Sequence, residues 1–272
     1  MNLDMLALPF AVTALGDGVG DPVIVLPGGP CRGPEYLGDF AGVGDVRPLI
    51  VLHPRGTPRS GGLSRGWWAD ASDVILLADA LGLSSFDVIA HSAGTRLALA
   101  TAAQFTSRVG SMALITPPAS WLSGTPSDAE SIAEDWATAE AREALAAMTT
   151  DDPATESEFR VAFRRQAPAS YARWTAVEQA HATIGAVSLA SAEAWFIDIP
   201  PDATDRIRAT SHPRALVVAG SRDLLTGVKP VADYASLLGA SYTLIEDCGH
   251  YPWIEQPETF RHRLASWLTG PE

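Results

Sequence analysis

Six short apolar runs, each closing on Gly, Pro, Asp or His, set the tightest constraint on how this chain can fold. They are PVIVLPGG (22–29), PLIVLHPRG (48–56), FDVIAHSAG (86–94), SMALITPP (111–118), RALVVAGSRD (214–223) and SYTLIEDCGH (241–250). A strand covered on both faces needs near-continuous hydrophobicity, so these runs predict a parallel sheet sandwiched between helices. Helical patterns lie between them, from Ala71 to Leu81, Gly94 to Phe105, Pro230 to Leu238 and Pro257 to Leu268. This alternation argues for an open α/β sheet, to which residues from about 4 to 14 are expected to add an antiparallel edge strand. With 272 residues, 47% of them hydrophobic, the chain can bury one large core.

Between Pro117 and about Arg208 the strand signal disappears, and Ala, Glu, Trp and Arg recur at helical spacing, as in Ser131 to Met148 and Glu156 to Arg165. Two parts are therefore expected: a core from residues 1–117 and 209–272, and an inserted helical cap, or lid, from 118–208. The insertion leaves a strand ending at Thr116 and rejoins one starting near Arg214, so it should overhang the carboxyl ends of the sheet, where open α/β proteins bind ligands.

The formal net charge is −13, from 19 basic and 32 acidic residues, with no Lys/Arg cluster to offset it; nucleic acid is an unsuited partner. Residues 118–208 carry 7 Arg against 15 Asp and Glu, a net of −8. That imbalance is read either as a solvated surface or as a field favouring cationic substrates. The opening MNLDMLALPF has no basic stretch ahead of an apolar run, and no run of about 18 apolar residues occurs, so no membrane partner and a cytoplasmic setting are expected. Cys31 and Cys248 lack disulfide-framework and zinc-ligand spacing. They read as two buried thiols, or as a pair brought together near one site. No metal or cofactor is expected.

Ala90-His91-Ser92-Ala93-Gly94 follows the strand FDVIA and precedes the helical TRLALATAA. A serine on so tight a strand-to-helix turn stands above the sheet edge, and small neighbours are needed because bulky Cβ atoms would clash there. Asp223 closes a later strand in GSRD, and His250 follows the next in DCGHYPW. Ser, then Asp, then His, each just past a strand end, is the chain order of the α/β-hydrolases. Serine is a poor nucleophile at neutral pH; His250 would take its proton, and Asp223 would hold the imidazole tautomer. Gly28 and Gly29, after the strand VIVL, and Ala93, after the nucleophile, are the expected oxyanion-hole N–H donors.

These residues resemble the proline iminopeptidase (prolyl aminopeptidase) branch of the α/β-hydrolase fold. Pro27-Gly28-Gly29-Pro30-Cys31 stands where that family has HGGPG, His53-Pro54-Arg55-Gly56-Thr57-Pro58-Arg59-Ser60 where it has DQRGxGxS, and Ala90-His91-Ser92-Ala93-Gly94-Thr95 where it has GGSWGS. The resemblance implies an inserted helical lid whose glutamates bind a free amino terminus. Trp174 to Glu178, and Glu193 with Trp195 and Phe196, look like worn versions of the two lid segments involved. Trp174, Glu178, Glu193, Trp195 and His91 are thus the expected substrate-binding residues. The departures, Ala93 and His53-Pro54 among them, alter the pocket and leave the three catalytic positions filled.

The leading reading is a serine hydrolase acting through an acyl-enzyme on a small amide or ester, with a small molecule or short peptide as substrate. An esterase, lactonase or acyl-transfer tailoring enzyme is the alternative with the same residues. A non-catalytic ligand-binding homologue is the alternative of another class.

Overall fold

The computed structural model describes residues 6–270. Seven strands form one sheet: β1 (Val12–Leu15), β2 (Val23–Leu26), β3 (Leu49–Leu52), β4 (Phe86–His91), β5 (Val109–Ile115), β6 (Arg214–Gly220) and β7 (Ser241–Ile245). Their order is β1-β3-β2-β4-β5-β6-β7. Only β1 pairs antiparallel, on β3, which is the expected edge strand; of the segment assigned to it, residues 4 and 5 lie outside the described residues. All other pairings are parallel.

Alternation along the strands divides the core into two layers. Ile24, Leu26, Val88, Ala90, Met112, Leu114 and Val217 face α1 (Ala71–Ala80), α2 (Gly94–Gln104) and, further along the chain, the helix Lys229–Leu237. Val23, Val25, Ile89, Ala113, Ile115 and Val218 face the turns of residues 34–45 and the helix Pro257–Thr269. Both faces of the central strands are closed, which explains their unbroken apolar runs. β7 is the other edge, and its Tyr242 and Leu244 remain partly exposed.

From β5 to β6 the chain contains helices and turns, with no strand among the described residues: α3 (Ser120–Ser123), α4 (Ala129–Trp136), α5 (Ala139–Thr150), α6 (Glu156–Gln166), α7 (Ala176–Ala182), α8 (Leu189–Ala194) and α9 (Ala203–Ala209). The sequence reading joins residues 131–148 into one helix; the structure breaks it at Ala137, whose extended backbone ends α4 before Thr138 caps α5. No helix among the described residues is long and apolar enough to cross a membrane.

Chain order reverses beside β2: β3 lies on one flank and β4 on the other. The turns leaving β2 and β4 therefore meet at the switch point of the sheet. They meet so closely that a Cβ on Gly94 would lie 2.4 Å from the Leu26 carbonyl oxygen and 2.5 Å from that of Pro27. Gly94→Ala is expected to lower stability by about 2 kcal/mol, since backbone atoms on both sides must move apart. Urea denaturation checks this; an unchanged midpoint would show that the two turns separate freely.

Candidate active site

Ser92 sits between the last residue of β4 and the start of α2 with φ of +49°, a left-handed conformation that costs a non-glycine residue about 1–2 kcal/mol. Its surroundings impose that conformation. The Ser92 N–H donates to the Ile115 carbonyl at 2.9 Å, and its own carbonyl accepts from Thr95 N at 2.9 Å and Thr95 Oγ1 at 2.7 Å. The serine thereby lines a cavity of about 300 Å³ at the carboxyl ends of the strands.

His250 lines the same cavity. Its Nδ1 lies 2.8 Å from Oδ2 of Asp223, which is fully buried. The Asp223 carboxylate also accepts from Leu225 N (2.9 Å), Thr226 N (3.3 Å) and Thr226 Oγ1 (2.5 Å). An acceptor-only carboxylate requires Nδ1 to carry the proton, which leaves Nε2 of His250 as the basic nitrogen.

Gly28 does not act as expected. Its N–H donates to the Tyr36 hydroxyl at 2.6 Å and is thereby committed. Its role is steric, since a Cβ there would lie 2.7 Å from Cβ of Ser92. Gly29 and Ala93 line the cavity, and Ala93 is the N-cap of α2, so the positive end of that helix lies behind it. Tyr36 in turn lies 2.9 Å from His91 Nδ1, and His91 Nε2 lies 3.1 Å from the His250 carbonyl. A nitrogen facing a carbonyl must donate, so Nδ1 accepts the Tyr36 proton. The chain Gly28–Tyr36–His91–His250 links the loop after β2 to the loop carrying the basic histidine. It requires a neutral His91, and burial, reinforced by nearby His250, holds His91 well below the usual histidine range. His91 thus touches the cavity, but both ring nitrogens serve this internal chain.

The other expected substrate residues lie elsewhere. Glu178 closes the capping box of α7: its Oε2 accepts from Thr175 N at 2.8 Å and Thr175 Oγ1 at 2.5 Å. Trp174 packs beside Tyr171, with ring centroids 5.4 Å apart and outside the cavity wall. Glu193 is exposed, and Trp195 is 1% exposed within the core under α1 and α2. Trp174 lies outside α7, before its cap at Thr175. The helical segment instead supplies Met148, Phe163, Gln166, Tyr171 and Phe196 to the cavity. Among the described residues no Asp or Glu lines it; Arg32 and Arg96 do. Cys31 and Cys248 are free and buried in different core layers, so they form no pair.

Sequence reasoning missed Arg32. This buried guanidinium donates from Nη1 to the Tyr251 hydroxyl (2.9 Å) and from Nη2 to the carbonyls of Ile184 (2.5 Å) and His181 (3.3 Å). It also lies 4.5 Å from the Tyr36 ring centroid. Arg32 therefore ties the loop after β2 to the end of α7. Its partners are carbonyls and rings from distant segments, which leave no local motif.

Comparison with known proteins places this geometry in context. The model of a family described as alpha/beta hydrolase fold matches residues 21–257. A proline iminopeptidase from Lactobacillus delbrueckii subsp. bulgaricus is 30% identical over 69 residues, a match spanning 25% of this chain and only 23% of that relative. A thermophilic esterase from Thermogutta terrifontis is similar in structure, with a TM-score of 0.65, 22% identity and coverage of 96% of this chain and 93% of that one. An alpha/beta fold family hydrolase from Bacillus anthracis gives a TM-score of 0.70 at 15% identity, covering 94% of each chain. At such identities the structural likeness speaks to fold alone.

The buried titratable groups set the acid response. Burial pushes His53 and His181 down to about 4 from an ordinary 6.5 and holds His91 and His212 below it too, so below about pH 6.5 the unfolded chain binds protons at these four histidines that the folded chain refuses. Glu255 opposes them. Burial pushes its carboxyl up to about 8, against hydrogen bonds from Ala172 N (2.6 Å) and Gly249 N (2.8 Å), so between 4.5 and 8 the folded chain holds one proton that the unfolded chain has released. On the acid side of pH 6.5 the four histidines outweigh the single proton of Glu255, and at higher pH the sign reverses. Stability is expected to peak between about pH 6.5 and 7 and to fall as the pH drops below that, by about 1.4 kcal/mol per pH unit for each net proton taken up on unfolding. Urea midpoints measured from pH 8 to pH 5 check this, and a midpoint that rises on acidification below 6.5 contradicts it.

Proposed function

Because this chain belongs to the α/β-hydrolase fold family, we propose that it is a serine hydrolase whose Ser92, His250 and Asp223 cleave small esters through an acyl-enzyme. The observation that carries this reading is the Asp223–His250 hydrogen bond of 2.8 Å, made by a histidine that shares a cavity with Ser92. Ser92 Oγ attacks the ester carbonyl as Nε2 of His250 takes its proton, and Asp223 stabilises the imidazolium. The N–H groups of Gly29 and Ala93 hold the resulting oxyanion. The intermediate collapses as Nε2 returns the proton to the departing alcohol. Water, deprotonated by the same nitrogen, then attacks the acyl carbonyl, and the acyl group leaves Ser92 Oγ as an acid as Nε2 returns the proton to that oxygen.

The lining of the cavity favours an ester over an aminoacyl amide. A free ammonium in a partly dry site needs a carboxylate, and none lines this one. Phe163, Tyr171, Phe196, Met148 and Leu225 suit an apolar body instead. The helical segment from 118 to 208 acts as the lid over that body. The structural likeness to an esterase supports the same direction, as analogy. Two free thiols agree with a reducing, cytoplasmic setting.

Ser92→Ala is expected to lower kcat/KM on p-nitrophenyl butyrate by at least about 10³-fold with an unchanged melting temperature. Wild type is expected to prefer such esters to proline- and alanine-p-nitroanilide. Glu178→Ala should cost about 1 kcal/mol of stability through its cap and leave that preference as it was. Preferential cleavage of the anilides, with KM raised by Glu178→Ala, would overturn the ester reading.

A further inference from the structure

Arg96 is the cavity residue whose charge the proposed chemistry leaves unused. It lies on α2, one helical turn beyond the Ser92 elbow, and lines the same cavity. Its guanidinium carbon sits 4.1 Å from the ring centroid of Trp121 and 5.6 Å from that of Phe196. Stacking fixes the guanidinium plane while leaving the in-plane N–H donors unspent. Among the described residues, no carboxylate forms an ion pair with it. Burial pulls its pKa down to about 10, so it is nevertheless charged at neutral pH.

The contrast with Arg32 is informative. Arg32 has its donors met by carbonyls and a tyrosine hydroxyl; Arg96 has no such set. A partly dry cation with open donors carries a desolvation cost that an arriving anion relieves. The cavity wall contains no acidic side chain that would repel one. Its volume of about 300 Å³ admits only a small acyl chain, so a charge bound at Arg96 would belong to the same small molecule as the ester at Ser92.

We propose that Arg96 anchors a substrate carboxylate, so that the favoured substrates of the Ser92 site are half-esters of small dicarboxylic acids. The substrate class rests on the serine hydrolase reading; the anchoring of a carboxylate does not. Hydrolysis adds water across the ester, releasing the alcohol and the dicarboxylate, and the anchored carboxylate takes no part in the bond changes.

Two arms test this. In the first, kcat/KM is measured for p-nitrophenyl hemiglutarate and for uncharged p-nitrophenyl valerate with wild type, Arg96→Met and Arg96→Lys. Wild type is expected to favour the hemiglutarate by about tenfold or more, the worth of one charge-assisted hydrogen bond. Arg96→Met should bring that ratio to about one, and Arg96→Lys should restore part of it. A ratio near one in wild type, or one that survives in Arg96→Met, overturns the proposal. Using a ratio removes any common loss from altered folding. In the second arm, monomethyl glutarate is titrated calorimetrically into Ser92→Ala and into Ser92→Ala/Arg96→Met. Binding to the first and about tenfold weaker binding to the second supports the anchor even if wild type turns over neither ester, in which case the hydrolase reading alone fails. Equal binding to both overturns the anchor.

Discussion

The contact on which the site depends is the one between two backbone turns, where the segment leaving β2 presses against the turn leaving β4. Gly28 approaches Ser92 and Gly94 approaches the carbonyls of Leu26 and Pro27 at distances that exclude any side chain. This places two sources of N–H groups, the loop at Gly29 and the N-terminus of α2 at Ala93, on the same side as the serine hydroxyl. It also holds Ser92 at a positive φ that it would not adopt alone. Strain at the serine is stored because the sheet on one side and α2 on the other leave no relaxed alternative.

A second constraint is electrostatic. The chain is strongly acidic, yet the cavity at Ser92 is lined, among the described residues, by two arginines and no carboxylates. Net charge governs the field at long range in water, where salt screens it within about 8–10 Å. Inside a partly dry cavity the nearest groups dominate. The acidic surplus of residues 118–208 is thus largely an exterior property. Glu178, although buried, adds no charge to the cavity wall, since its carboxylate is consumed by the N-cap of α7. The tie from Arg32 to Ile184 and the Gly28–Tyr36–His91 chain make the cavity wall a continuous polar framework beneath an apolar lining.

Much of the fold was legible in the chain because a strand buried on both faces must be apolar along its whole length. β2 through β6 carry that mark, and the helices around them carry the complementary periodicity. The positions of Ser92, Asp223 and His250 past strand ends were legible for a related reason, since strand ends are where an open sheet displays side chains. Trp174, Glu178, Glu193 and Trp195 were expected at the substrate because their segments resemble those of the family's lid, and a likeness of short segments does not record what each side chain meets in this fold. Trp195 went into the core, and its neighbour Phe196 reached the cavity.

Local hydrophobicity and turn sterics set the α/β alternation, the helical stretch between β5 and β6, and the strand-end positions of Ser92, Asp223 and His250 directly from the chain. Packing between distant segments settles which N–H groups of the glycine loop stay free, which way Glu178 turns, and that Arg96 stands in the cavity without an acidic partner among the described residues. Those outcomes depend on groups far apart in the chain, such as Tyr36 against Gly28 and His91, or Arg32 against Ile184. Hydrogen bonds and charge balance in a buried site are settled by the neighbours that folding supplies, and no local pattern of residues encodes them.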